Sequence, residues 1–145
     1  MAKELAGRAE SRLASIVILD ASALIALYSS ADAHHSWALN MFRDTAASKL
    51  EMPVLSFAEV LVHPTRQGKR EKFLSSISGL GLEVTELPAK AALELANLRN
   101  QTNLKMPDVV VLQRALEVGG TLATTDRKLA ETASDLGLPV SSPLA

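Results

Sequence analysis

Four acidic residues stand where the chain turns from one structural element into the next: Asp20, Glu59, Asp108 and Asp126. Asp20 directly follows the apolar run IVIL, and Asp126 directly follows TLATT. Glu59 lies three residues after Ser56, where a short apolar stretch gives way to a helical pattern, and Asp108 follows Pro107 at the head of another helix. Residues so far apart in sequence meet only if the fold gathers them. Carboxylates that converge repel one another unless a cation sits among them. An all-oxygen donor set suits a hard ion, Mg2+ or Mn2+, rather than zinc. Such an ion binds a phosphoryl oxygen and lowers the pKa of a bound water, which is the chemistry of phosphodiester hydrolysis.

Each residue also has a purely structural explanation. Ser56 and Glu59 have the spacing of a capping box, in which the glutamate serves only backbone N–H groups. Asp108 suits a helix N-terminus electrostatically. Asp20 and Asp126 can cap the helices beginning at Ala21 and Arg127. It is the joint pattern, four carboxylates at junctions that a parallel sheet draws to one edge, that points to a site.

The elements that must position them read as follows. Ile16 to Leu19 is a short β-branched run of the kind found in strands buried on both faces. Ala21 to Tyr28 and His34 to Ser48 read as helices, Met52 to Leu55 as a strand, and Ser56 opens a helix toward Pro64. Lys69 to Ile77 is helical, with Gly79 and Gly81 beyond its end. Leu82 to Leu87 is a strand, and helices follow at Ala89–Gln101 and Pro107–Val118. The latter has Pro in its first turn and Gly119-Gly120 past its end. Thr121 to Thr124 is a strand, Arg127 to Leu136 a helix, and Pro139 to Ser142 a last strand. This alternation predicts an α/β fold, a central and mainly parallel β-sheet flanked by helices on both faces. Ligands of such sheets bind beyond the carboxyl ends of the strands, where these four acids stand.

The 145 residues suit one domain, since domains commonly hold about 100–150, with residues 1–15 as a polar or helical lead-in. The chain is 48% hydrophobic but only 3% aromatic, so the core must be aliphatic. Fifteen basic residues against sixteen acidic ones leave a net charge of −1, without the basic excess usual in nucleic-acid binders. A nucleic acid must therefore be held by a local patch. The best candidate is Arg66, Lys69, Arg70 and Lys72, although a charge run is more often a solvated face. The absence of cysteine excludes disulfides, thiolate chemistry and Cys-based zinc sites. No apolar run reaches the roughly 18 residues of a membrane span, and the N-terminus lacks a signal-peptide core, so a cytoplasmic protein is expected. His34 and His35 are adjacent and point in different directions on a helix, His63 could meet a phosphate, and Trp37 is expected in the core or at an interface.

Three segments together resemble one family. VILDASALIALYSSADAHHSWA resembles the opening of a PIN domain, SFAEVLVHPTRQG the segment carrying that family's glutamate, and LKMPDVVVLQRALEVGGTLATTDRKLA its third and fourth acidic positions. The resemblance covers roughly Ile16 onward and is nearest to the VapC-type toxin nucleases of bacterial VapBC toxin–antitoxin pairs. It implies a PIN-like fold and an endoribonuclease whose metal, Mg2+ or Mn2+, is held by Asp20, Glu59, Asp108 and Asp126. Asp20 and Asp108 would be the direct ligands, with Ser22 and Thr124 ordering the site and Glu59 or Asp126 orienting the attacking water. It also implies a homodimer and a VapB-like antitoxin that brings a basic side chain to the acidic site, and the helices Ala21–Tyr28 and Pro107–Val118, apolar over more of their surface than one sheet contact needs, point to such interfaces as well. The pattern breaks at Lys128 and Leu129, where the family often has an acid and an aromatic, which bears on a second metal site but leaves the four acids intact. Two rivals are weaker. An aspartyl phosphatase needs a second acid two positions after Asp20, where Ser22 stands, and a non-catalytic PIN-like interaction module has no reason to crowd four carboxylates.

Overall fold

The computed structural model describes residues 15–144, so the expected lead-in lies, apart from Ser15, outside the described residues. Strands β1 (Ile16–Leu19), β2 (Lys49–Pro53), β3 (Leu82–Thr85), β4 (Thr121–Ala123) and β5 (Val140–Ser141) form one sheet in the order β3-β2-β1-β4-β5. Every adjacent pair is parallel, with Val17 beside Leu50 on one side and Thr121 on the other. Around the sheet lie α1 (Ala21–Tyr28), α2 (His35–Asp44), α3 (Val54–Arg66), α4 (Arg70–Ile77), α5 (Ala92–Thr102), α6 (Met106–Val118) and α7 (Arg127–Asp135). The sheet is thus wholly parallel and the fold is PIN-like α/β.

Strand alternation sorts the side chains into two cores. Val17, Leu19, Leu50, Met52 and Ala123 pack against Ala23, Leu24, Met41 and Val60 from α1 to α3, with Trp37 and Phe73 at the margin. Ile18 and Leu122 face the other way, onto Leu95, Leu98, Val109, Leu112 and Leu129 from α5 to α7. With both faces covered, the central strand β1 carries the unbroken apolar run seen in the sequence. The join between α6 and β4 depends on two glycines. Gly119 takes the left-handed conformation (φ 62°), and a Cβ on Gly120 would stand 2.8 Å from the carbonyl oxygen of Ile16.

The structure moves several boundaries, chiefly those around the second strand. The second strand is not Met52–Leu55 but Lys49–Pro53, and its helix begins at Val54 rather than Ser56. Accordingly α2 stops at Asp44, four residues before the expected Ser48, which frees the turn leading into Lys49. The earlier strand start puts a charge inside the sheet: Glu51 is fully buried, beside Ile18, on the α6 face. Arg114 of α6 donates from Nε to Glu51 Oε1 at 2.7 Å, and Lys49 Nζ stands 3.4 Å from Oε2. Burial pushes the Glu51 carboxyl up, but the hydrogen bond and charge of Arg114, helped by Lys49, outweigh this and hold it below the usual glutamate value.

Candidate active site

β1 is the first strand laid down, β2 and β3 extend the sheet on one side, and β4 returns to pair with β1 on the other. The helices after β1 and β4 cover opposite faces, which leaves a crevice between their carboxyl ends. Such a reversal of strand order is where open parallel sheets bind ligands.

Asp20 follows β1 into this crevice and is only 5% exposed. Its Oδ1 accepts hydrogen bonds from Ser22 Oγ (2.6 Å) and from the backbone N–H of Ala23 (3.1 Å), and its Oδ2 accepts one from the Thr124 hydroxyl. Thr125 N–H donates to Ser22 Oγ at 2.9 Å, and Asp126 N–H donates to Thr124 Oγ1 at the same distance. Ser22 and Thr124 therefore stitch the end of β1 to the end of β4. Asp20 caps α1, as local sequence suggests, and Asp126 caps α7 by accepting from Leu129 N–H at 2.8 Å. Capping occupies one oxygen in each residue, and both residues line the crevice.

Glu59 and Asp108 arrive from elsewhere. Asp108 lies in the first turn of α6 and Glu59 in the second turn of α3, and neither side chain makes a hydrogen bond among the described residues. The capping box fails, because Ser56 lies inside α3 and the residue before the helix is Pro53. Ser56 instead shares a face with Glu59, one turn away, and both line the crevice. This role for Ser56 follows once the helix start is known, and the misplaced boundary hid it.

Asp20, Glu59, Asp108 and Asp126 all line one cavity of about 270 Å³. Their mutual influence is visible in their acidity. Burial raises the Asp20 carboxyl, against its three hydrogen bonds, and Asp126 adds to the rise. Burial also raises Asp108, reinforced by Asp126 and Asp20 and partly offset by Lys105 and Lys128. Glu59 is raised by burial and then by Asp108. Like charges in a half-closed space disfavour ionisation, and a cation would relieve it.

Among the described residues, no three His, Asp or Glu side chains close on one point as a ready metal cage. The donor chemistry nevertheless fits a hard cation. Mg2+ typically keeps several waters and binds through one or two carboxylates, and the cavity has room for such waters at roughly 30 Å³ each. Lys128 adds positive charge near Asp108 and partly offsets the acids around it.

A second, larger cleft of about 460 Å³ lies between α1, α3 and α4 and shares Ile25 and Glu59 with the first. Of the four cations singled out by sequence, Lys69 and Lys72 line it, and so does His63. Arg66 and Arg70 are not in its lining, and Arg70 Nε lies 3.5 Å from Glu71. His35 does structural work through Nδ1, which lies 2.8 Å from the Ala26 carbonyl oxygen.

A family model described as PIN domain matches residues 17–135. No curated protein matches the sequence. Among solved structures, a toxin–antitoxin complex from Klebsiella pneumoniae superposes with a TM-score of 0.65 at 19% identity, over 76% of this chain and 86% of that one. A protein from Pyrobaculum aerophilum gives 0.59 at 22% identity, over 88% and 85%. FitAB bound to a DNA fragment gives 0.68 at 14% identity, over 88% and 94%. At these identities the likeness is one of fold.

Proposed function

The chain belongs to the PIN-domain family, and we propose that within it this protein is a Mg2+- or Mn2+-dependent endoribonuclease, the toxin of a toxin–antitoxin pair. One observation carries the reading: four carboxylates from four separate elements line a single cavity at the reversal point of the sheet. Asp20 and Asp108 would hold the ion, with Asp126 and Glu59 completing its surroundings. Bound there, it would neutralise the phosphate and make the attacking water more acidic.

The chain's own groups divide the remaining work. Asp20 is fixed by Ser22, Thr124 and the α1 N-terminus, so its oxygens are preorganised. Asp126 is committed on one oxygen to Leu129 N–H, whereas Glu59 has no hydrogen bond among the described residues and a raised proton affinity. Glu59 is therefore the better general base, taking the proton of the water that attacks the phosphorus. The P–O bond to the 3′ oxygen breaks in line, and that oxygen takes a proton from solvent water, leaving a 3′-hydroxyl and a 5′-phosphate.

Chelation tests the metal. Protein freed of divalent ions should cleave single-stranded RNA at background rate, and Mg2+ or Mn2+ should restore it. Undiminished cleavage in excess EDTA would refute the assignment.

The partner reading rests on family membership and on a fold shared with a toxin–antitoxin complex. Apolar surface adds to it unevenly. Helix α6 buries Val109 to Leu112 within the protein and has little to offer a partner, contrary to what its composition suggests. Leu39 of α2 and Val62 of α3, outside the larger cleft, remain exposed. A homodimer is expected, with light scattering at micromolar concentration giving twice the 15.4 kDa chain mass, and a monomer mass would remove it. Co-expression with a small antitoxin encoded alongside should yield a complex that no longer cleaves RNA. No described helix is long and apolar enough to cross a membrane, in keeping with a cytoplasmic enzyme.

A further inference from the structure

We propose that the cleft between α1, α3 and α4 seats one unpaired nucleobase of the RNA strand beside the scissile phosphate, with Lys69 and Lys72 holding the backbone on its outer rim. The proposal rests on the nuclease reading and extends it from the reacting phosphate to the neighbouring nucleotide. Continuity comes first. Ile25 and Glu59 line both this cleft and the carboxylate cavity, so a strand whose phosphate lies at the acids has its next residue at the cleft mouth.

The wall suits a base. Tyr28 and Phe73, two of the five aromatic residues in the chain, meet edge to face with centroids 5.6 Å apart. The Tyr28 hydroxyl donates to the Ser76 carbonyl at 3.0 Å, so the ring is held by Phe73 and at its tip, yet the residue stays 38% exposed. A ring fixed before binding loses little freedom when a base stacks on it, and stacking tolerates any base. Gln67, in the same lining, offers both a donor and an acceptor to a base edge.

Charge decides between occupants. The apolar floor alone would equally suit an amphipathic helix of a protein partner. The cleft, however, carries Lys69 and Lys72 at its rim in a chain whose net charge is −1. Lysines beside an apolar slot serve a polyanion that carries flat bases. The base must be unpaired, because stacking on a protein ring requires it to leave a duplex.

The test reads binding, not cleavage. Tyr28 is the only tyrosine, so its ring signals in proton NMR need no further assignment. In EDTA, a single-stranded RNA hexamer should move them upfield, and an abasic hexamer with the same phosphates should not. Tyr28→Leu should weaken hexamer binding about tenfold and leave abasic binding unchanged, while Tyr28→Phe, which keeps the ring, should bind nearly as wild type. Lys69→Ser with Lys72→Ser should weaken both ligands alike and lower the salt dependence of binding. A hexamer that fails to bind, or binds without moving Tyr28, overturns the proposal, as does a Tyr28→Leu loss shared equally by the abasic strand. An antitoxin peptide that moves Tyr28 where RNA does not would assign the cleft to protein docking. Cleavage failing while the Tyr28 pattern holds would defeat the nuclease reading and spare the subsite, and the reverse pattern would do the opposite.

Discussion

Asp108→Asn is expected to reduce RNA cleavage by more than about a hundredfold, the scale on which metal-site and general-base losses fall, while the chain folds as before. Asn is nearly isosteric and keeps whatever packing Asp108 makes, so only charge is removed. The same change should raise the melting temperature in metal-free buffer. Burial, together with Asp126 and Asp20, raises the folded-state pKa of Asp108 above its ordinary value of 3.8. The folded protein therefore holds this proton more tightly than the unfolded chain, and the ionised group destabilises the fold as pH rises through the folded value. The advantage of Asn should be full at neutral pH and vanish below the unfolded value. Each kcal/mol of burial cost and repulsion relieved would appear as about 3–5 °C in a chain of this size. Excess Mg2+ should narrow the difference by stabilising the wild type alone. Asp20→Asn tests the same idea against the capping alternative, since Asn caps about as well as Asp. Retained activity in either variant would return that residue to a structural role.

Arg114→Ala should have the largest effect on stability. Removing Arg114 leaves the Glu51 carboxylate fully buried with only the half-exposed Lys49 near it. Breaking a buried pair from one side typically costs about 3–5 kcal/mol, or roughly 10–20 °C here. Replacing both partners, Glu51→Leu with Arg114→Met, should recover most of the loss, because the penalty belongs to the orphaned charge and not to the missing attraction. Calorimetry of the single and double variants measures this directly. The sign with pH is opposite to that of Asp108. Glu51 is lowered in the fold, so its contribution is present above its unfolded value of 4.5 and is lost as pH falls through the folded value. The gap between wild type and Arg114→Ala should therefore close in acid. An Arg114→Ala protein as stable as wild type would show that Lys49 suffices.

These two cases mark how far the sequence could be read. The β1 run and the acids after β1 and β4 were legible because a doubly covered strand writes itself as apolar residues ended by a polar one. Asp108 was legible from Pro107 and the helix pattern behind it. The second strand was not, because Glu51 interrupts its apolar pattern and the residue that licenses the charge lies 63 positions away. Once that boundary slipped, Ser56 looked like a cap and its place beside Glu59 was hidden. The basic run from Arg66 to Lys72 gave no sign of which cations would face the cleft, since the turn around Gly68 sets their directions. The apolar look of α6 suggested surplus surface, yet a helix held between the sheet and α5 uses that surface itself.

The placement of β4 against β1 bears on when the molecule becomes active during its own synthesis. The central pair joins Val17–Leu19 to Thr121–Ala123, and the Thr124–Asp20 hydrogen bond spans 104 positions. A ribosome that has translated as far as β3 has made Asp20 and Glu59 but neither Asp108 nor Asp126. The slot beside β1 is then still empty, and the helix that begins with Asp108 does not exist. Chains released early by a stop codon or a stalled ribosome thus hold half the carboxylates on an unfinished sheet. On the proposed nuclease reading, the four-carboxylate site is complete only once β4 and Asp126 have been made, so a chain halted before them is not expected to cut RNA.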